Sequence, residues 1–166
     1  MQDVQQHAGV MLHQRPQATA LVIGTLVTLA LHFTWEMLQA PAFMEFAGSA
    51  WEGTVRCFVA SLGDVLLASG AFAVTLLAFR RPNWPLLNRW AVPAITWIAI
   101  GLVATIALER WGLDRGRWAY GPEMPVVFGI GLLPLVQWLV VPAFTLVIVR
   151  YLAPRKSVAI AETRSR

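Results

Sequence analysis

The chain has 166 residues, of which 57% are hydrophobic and 13% are charged, and its mean hydropathy is +0.60. A soluble domain has about 45–50% apolar and roughly 25% charged residues, so this composition excludes one and indicates a membrane protein. The single cysteine, Cys57, excludes an internal disulfide and dithiol exchange. The net charge of +4 comes from arginines beside apolar runs, which argues against a nucleic-acid partner.

Four apolar runs predict four transmembrane helices, because a helix needs about 20 residues to cross a hydrocarbon core of about 30 Å. We place these helices at about 18–38, 57–79, 91–109 and 126–149, within one transmembrane domain that covers 18–150. Polar tails at 1–17 and 151–166 flank this domain. The predicted fold class is an all-α membrane protein, a four-transmembrane-helix bundle.

The distribution of Lys and Arg predicts the orientation of the helices, since cytoplasmic segments are enriched in these residues. Nine of the 13 lie in the two tails and the second loop, and the other four lie in the first and third loops. This asymmetry places both termini in the cytoplasm and the first and third loops outside. The expected location is the inner membrane of a bacterium.

The end of the first apolar run raises the alternative of a cleaved signal peptide. The segment 40–42, Ala-Pro-Ala, resembles the small-residue site at which signal peptides are cut. The preceding run, however, is longer than the roughly 7–15-residue core of a signal peptide, and His32 and Glu36 interrupt it. We therefore favour an uncleaved first helix.

The first helix carries polar residues that are unusual in an apolar span. At about 100° per residue they fall on one face, which continues to the outer end of the helix. This face consists of Thr25, Thr28, His32, Trp35, Glu36 and Gln39. Because ionisable groups are costly to place in lipid, such a face turns toward protein or an aqueous cavity and is a functional candidate.

The first loop, 40–56, mixes aromatic residues with acids, among them Phe43 and Trp51 beside Glu45 and Glu52. This mixture is typical of a segment that lies in the outer membrane interface. We interpret the aromatic side chains as anchors in that interface, and the alternative is a partial lid over the helix ends.

The second helix carries one acid, Asp64, within a stripe of small residues. Small side chains at steps of three and four let helices approach closely in lipid. The other members of the stripe are Cys57, Ser61, Ala68, Ala71 and Thr75. Asp64 lies about two turns, or roughly 10 Å, from the outer end, deeper than any other acid. A hydrogen-bonded structural role and a functional role are both compatible with this depth.

The third helix ends at Glu109, which should reach the same outer level as Glu36. The loop that follows carries Arg115, Arg117, Trp118 and Tyr120. Arginines near helix-borne acids neutralise them or bind an anionic head group. The alternatives are a simple helix-end ion pair for Glu109, and a loop that its arginines and aromatic residues hold at the lipid surface.

The fourth helix is predicted to begin after Pro125 and to bend at Pro134, because an interior proline removes a backbone donor. Gln137 lies one turn beyond Pro134. A bend beside an amide either serves packing or opens a cavity, and packing is the simpler interpretation. We therefore leave Gln137 outside the predicted site.

These residues together predict a polar, acidic pocket near the outer face, since short outer loops bring neighbouring helix ends together. The predicted ligand-binding residues are His32, Trp35, Glu36, Gln39, Asp64, Glu109, Arg115, Arg117, Trp118 and Tyr120. The favoured function is binding or transport of a small or amphipathic molecule, with Glu36 and Asp64 as proton-linked acids. The expected partners are the lipid bilayer, such a ligand, and a second copy of the chain or a larger membrane protein.

Two other functions are compatible with the same residues. One is an intramembrane enzyme that acts on a lipid or isoprenoid, with His32 and Glu36 as acid–base groups, although no named catalytic motif is present. The other is a structural accessory subunit whose polar residues hold its helices together. A metal site at His32, Glu36 and Asp64 is disfavoured because His32 is the only histidine in a predicted span, and the sequence identifies no cofactor.

Overall fold

Four long helices form most of the computed structural model, which describes residues 2–43, 49–81, 84–86 and 89–152, with side chains from residue 19 onward. They are α1 (Gln2–Gln39), α2 (Ala50–Phe79), α3 (Ala91–Asp114) and α4 (Leu132–Leu152). Each contains a segment that is long and apolar enough to cross a membrane. The prediction of four such helices is confirmed.

The helices pack in a ring in which α1 and α3 each contact both α2 and α4. We call one end of this ring the hairpin end, where α1 and α3 end and α2 and α4 begin. The opposite end, where the chain passes from α2 to α3 and where α4 finishes, is the C-terminal end. Single-turn 3-10 helices at Ala40–Ala42 and Trp84–Leu86 lie at the hairpin end and the C-terminal end, respectively.

The core of the ring consists of tryptophans packed against small residues. Trp84, Trp97 and Trp138 form one buried cluster with alanines of α2 and α3. The indole Nε1 of Trp97 donates to the carbonyl oxygen of Ala68 at 2.9 Å, which ties α3 to α2. All five small residues predicted to line one face of α2 are buried. Small side chains on one helix thus make room for large rings on its neighbours.

Helix α2 begins at Ala50, well before the predicted residue 57, because a capping box starts it. The Ser49 hydroxyl accepts from the Glu52 amide at 3.3 Å, and the Ser49 amide donates to the Glu52 carboxylate at 3.0 Å. These two bonds satisfy amides that otherwise lack partners at a helix start. Of the predicted first loop, residues 44–48 lie outside the described part of the chain.

Helices α1 and α3 are also longer than predicted. Helix α1 is continuous from Gln2, so it includes the segment expected to be a polar tail, and α3 extends five residues beyond 109 to Asp114. At the other terminus, α4 ends at Leu152, and residues 153–166 of the predicted C-terminal tail lie outside the described residues.

A β-hairpin takes the place of the predicted start of the fourth helix. Strands β1 (Val126–Val127) and β2 (Ile130–Gly131) pair antiparallel, and the turn between them has positive φ at Phe128 (52°) and Gly129 (79°). Such angles are typical of the two-residue turns that join twisted strands. Because α4 begins only at Leu132, Pro134 lies in its first turn, where a helix needs no amide donor. The bend that we expected at Pro134 therefore has no cause.

Candidate functional site

A buried amide of α4 joins polar groups from α1 and α2. Gln137 is only 2% exposed. Its Nε2 atom lies 2.8 Å from His32 Nδ1, 3.1 Å from Glu36 Oε1 and 2.9 Å from Asp64 Oδ2. Its Oε1 atom accepts from Gln39 Nε2 at 3.4 Å. We refer to these five residues, His32, Glu36, Gln39, Asp64 and Gln137, as the polar cluster.

Helix α1 supplies three members of the polar cluster from one face. His32, Glu36 and Gln39 follow one another at steps of four and three residues, which keeps them in line on a helix. Gln39 donates to Glu36 Oε1 at 2.8 Å and accepts from the Trp35 indole at 3.0 Å. Trp35 therefore fixes the amide of Gln39 rather than forming an open aromatic wall.

His32 Nδ1 lies within hydrogen-bonding distance of two other members of the polar cluster. It is 2.8 Å from Gln137 Nε2 and 3.2 Å from Asp64 Oδ2. With a proton on Nδ1 the imidazole donates to Asp64, and without one it accepts from Gln137, so the roles of these atoms follow from the tautomer.

The second ring nitrogen of His32, Nε2, is the unpartnered atom of this side chain. The side chain of His32 is completely buried, and Nε2 has no hydrogen-bond partner among the described residues. The ring of Trp138 lies beside it, with a centroid separation of 5.8 Å. A buried nitrogen without a partner is rare in folded proteins and indicates a site for a ligand, a water molecule or a proton.

The two carboxyl groups are the accessible part of the polar cluster. The side chain of Asp64 is 21% exposed and Glu36 is half-buried, whereas His32, Gln39 and Gln137 are buried. Both carboxyl groups bind the same atom, Gln137 Nε2, at 3.1 and 2.9 Å, so Glu36 and Asp64 are close neighbours. Within the described residues, no Lys or Arg side chain pairs with either carboxyl group.

Glu109 forms a second group at the hairpin end. Its carboxylate accepts from the Tyr120 hydroxyl and, at 3.3 Å, from the Trp118 indole. Burial and the bond to Glu109 raise the pKa of Tyr120 above its usual range, so the phenol remains the donor. This group and the polar cluster both lie toward the hairpin end of the ring. In the structure, Glu109 is thus bound by two neutral donors. The alternative considered from the sequence was an ion pair at the helix end.

Main-chain bonds attach the third loop to the end of α1. The amide of Gly121 donates to the carbonyl oxygen of Ala42 at 2.8 Å, and Tyr120 forms an isolated antiparallel bridge with Phe43. The rings of Phe43 and Tyr120 pack edge to face at a centroid distance of 5.7 Å. These contacts hold Tyr120 over the hairpin end of the ring.

The structure keeps the two predicted arginines away from the polar cluster. The guanidinium of Arg117 lies over the ring of Trp111, 5.6 Å from its centroid, and Arg115 is exposed just after α3. In the described part of the chain neither forms an ion pair with an acid. The expected neutralisation of the helix-borne acids by these arginines is therefore not observed.

A cavity lies in the half of the ring toward the C-terminal end and not at the polar cluster. It measures about 280 Å³ and is bounded by α1, α2 and α4, with Trp97 of α3 and the 3-10 turn at Trp84–Leu86 closing its sides. Thr28 lines its inner limit and lies one helical turn, or about 5.4 Å, from His32. The predicted acidic residues are thus packed together beside this cavity and do not line it.

Gln137 is the functional residue that the sequence analysis left out. It is the only amide in α4, a helix otherwise made of apolar residues, prolines, one threonine and its terminal Arg and Tyr. That isolation is the only signal of Gln137 in the sequence, and by itself it is equally typical of packing. Among the described residues, no group of three or more His, Cys, Asp or Glu side chains is arranged to hold a metal ion.

The described fold and site define a helical protein with four helices able to span a membrane and a buried acidic cluster shared by three of them. No protein-family model matches the chain, and comparisons with curated proteins and with solved structures find no match either.

Proposed function

We propose that the chain is an integral membrane protein that binds a small cationic or amphipathic molecule at the polar cluster, with proton exchange at Glu36 and Asp64. One observation carries the proposal. Two carboxyl groups from different helices meet on one buried amide, Gln137, without a Lys or Arg partner in the described residues.

The physical argument concerns charge. Two carboxylates that share one donor repel each other strongly where lipid and protein replace water, so both can be ionised only if a cation approaches. A proton or a bound cation provides that compensation equally well. Binding of a cation would therefore release the proton that Glu36 and Asp64 share, which is the coupling that proton-linked binding and transport proteins require.

The proposal includes an orientation. The four helices cross the bilayer as a bundle, both termini lie in the cytoplasm, and the hairpin end faces outside, as the arginine distribution favours. Glu109 and Tyr120, which are hydrogen-bonded to each other, then also lie on the outer side of the bundle.

Neutralising either carboxyl group should weaken cation binding and stop proton release. In lipid nanodiscs, we expect Glu36→Gln and Asp64→Asn to reduce the affinity for tetraphenylphosphonium at least about tenfold, or about 1.4 kcal/mol. Calorimetry in a weak buffer, with empty nanodiscs subtracted, measures both the affinity and the released proton. The matched control is Glu123→Gln, which removes an exposed carboxylate of the third loop. If both site variants fold and bind like the control, the proposal fails.

The unpartnered Nε2 atom of His32 favours one second candidate, an intramembrane enzyme. A histidine whose Nδ1 is held by a carboxylate, here Asp64, presents Nε2 as a general base. In that case cells that lack the protein should accumulate a lipid precursor, and His32→Gln should fail to clear it although it still binds tetraphenylphosphonium. Clearance by His32→Gln at the rate of the unmodified protein would exclude this enzyme.

A further inference from the structure

The cavity near the C-terminal end has room for a hydrocarbon chain, but its lining provides few hydrogen-bonding groups for a polar molecule. Its volume of about 280 Å³ compares with roughly 150 Å³ for an apolar engineered cavity that stays dry and binds benzene. The hydroxyls of Thr25 and Ser69 in its lining donate to carbonyl oxygens of their own helices. Those of Thr28 and Thr145 lie 3.5 Å apart and pair with each other.

The cavity reaches the molecular surface between α1 and α2. Leu21, Thr25 and Ser69 line it and are exposed, so this side of the cavity is open. These residues belong to segments that are apolar enough to span a membrane. A molecule dissolved in the bilayer could therefore enter sideways with its chain first.

Positive charges surround the C-terminal end of this cavity. Arg80 follows the lining residue Leu76 by one turn, and Arg81 follows directly. The guanidinium of Arg150 donates to the carbonyl oxygen of Pro85, which also lines the cavity, at 2.6 Å. In contrast, every acid whose side chain the structure describes lies in the polar cluster or nearer the hairpin end. The charge at the base of the cavity is therefore suited to an anion.

Aromatic rings form part of the apolar wall at the same end. Phe72 and Trp97 line the cavity, and the fully buried ring of Trp84 packs on them at centroid distances of 5.5 and 6.1 Å. This wall offers apolar surface to a hydrocarbon chain.

We propose that this cavity binds the hydrocarbon chain of an anionic single-chain amphiphile, whose acidic head lies at the rim formed by Arg80, Arg81 and Arg150. The site is separate from the polar cluster, which prefers cations. The chain fills the apolar space up to Thr28, against the wall formed by Phe72 and Trp97. The proposal depends on the helices spanning a bilayer but not on cation binding at Glu36 and Asp64.

A pair of glycine variants tests the chain site. A Cβ atom at Gly24 would lie 3.6 Å from Val149 Cγ2, an ordinary contact, so a leucine there extends into the cavity. A Cβ atom at Gly70 meets nothing within 4 Å, and the same substitution there faces outward. By native mass spectrometry of the full chain with lysophosphatidylglycerol, we expect Gly24→Leu to weaken binding at least tenfold and Gly70→Leu to leave it unchanged.

Two further measurements test the head group and the independence of the site. Arg80→Gln with Arg81→Gln should remove the preference for lysophosphatidylglycerol over lysophosphatidylcholine, whereas Glu36→Gln should leave that preference intact. If Gly24→Leu does not fold, Ala20→Phe fills the same space from α1. A folded cavity-filling variant that binds like Gly70→Leu overturns the proposal. Equal binding of both lysolipids to the unmodified protein would overturn the proposal that the head group is anionic.

Discussion

Gln137→Leu should destabilise the protein by about 3 kcal/mol, because leucine fills a similar volume but gives the polar cluster no hydrogen bond. An unsatisfied buried polar group costs roughly 1–3 kcal/mol, and more when it is charged. Gln137 donates to two carboxyl groups, lies against His32 and accepts from Gln39, so its loss affects four partners at once. Equilibrium unfolding in mixed detergent micelles measures the free-energy change.

Thr145→Val provides the control on the same helix. Thr145 is also buried, but its one interhelical hydrogen bond, to Thr28, is long at 3.5 Å, so we expect a loss of at most about 1 kcal/mol. Adding Asp64→Asn to Gln137→Leu should cost less than the sum of the single changes, since the double variant no longer has a carboxylate at position 64 that has lost its bond to Gln137. A Gln137→Leu protein as stable as Thr145→Val would show that the amide does not organise the cluster.

The sequence identifies the part of the site that lies on one helix. His32, Glu36 and Gln39 belong together because helical periodicity alone places them on one face. Asp64 could be selected from its depth in an apolar span, where a charge is costly. Gln137 could not be selected in the same way, because a single amide in an apolar helix is equally typical of packing, and only the tertiary arrangement shows which groups it meets.

In the third loop, closeness in the sequence did not indicate which groups pair in the structure. Arg115 and Arg117 are close to Glu109 in sequence, and this proximity suggested that they neutralise the acid. The main chain instead turns so that Tyr120 pairs with Phe43, which delivers the Tyr120 hydroxyl to Glu109 and leaves Arg117 on the ring of Trp111. Such a result depends on backbone pairing between residues far apart in sequence, which local charge patterns do not record.

The long helices were predictable because length and apolarity determine them, whereas their ends depend on local hydrogen bonds. The capping box of Ser49 and Glu52 has a recognisable S-x-x-E pattern, so the early start of α2 could have been predicted. The hairpin at 126–131 is apolar like the helix that follows it, and hydropathy does not separate the two.

Gly101→Ala should be as disruptive as the loss of Gln137, although it adds only a methyl group. A Cβ atom at Gly101 would overlap the six-membered ring of Trp138, which is itself 1% exposed. Adding a methylene to a packed core usually costs about 1–3 kcal/mol, and occasionally more. We expect about 3 kcal/mol, because the rigid indole lies between α3 and the ring of His32, so moving it away from Gly101 pushes it against His32.

A shift of the Trp138 ring in Gly101→Ala should also reach the polar cluster, because Trp138 packs against His32 at a centroid distance of 5.8 Å. We therefore expect Gly101→Ala to weaken tetraphenylphosphonium binding as well as stability, measured in the same nanodisc assay. Gly70→Ala is the matched control, since it adds a methyl group where nothing lies within 4 Å. Trp138→Phe should partly rescue Gly101→Ala by shortening the ring. A Gly101→Ala protein that matches Gly70→Ala in both measurements would contradict the close packing of α3 against Trp138.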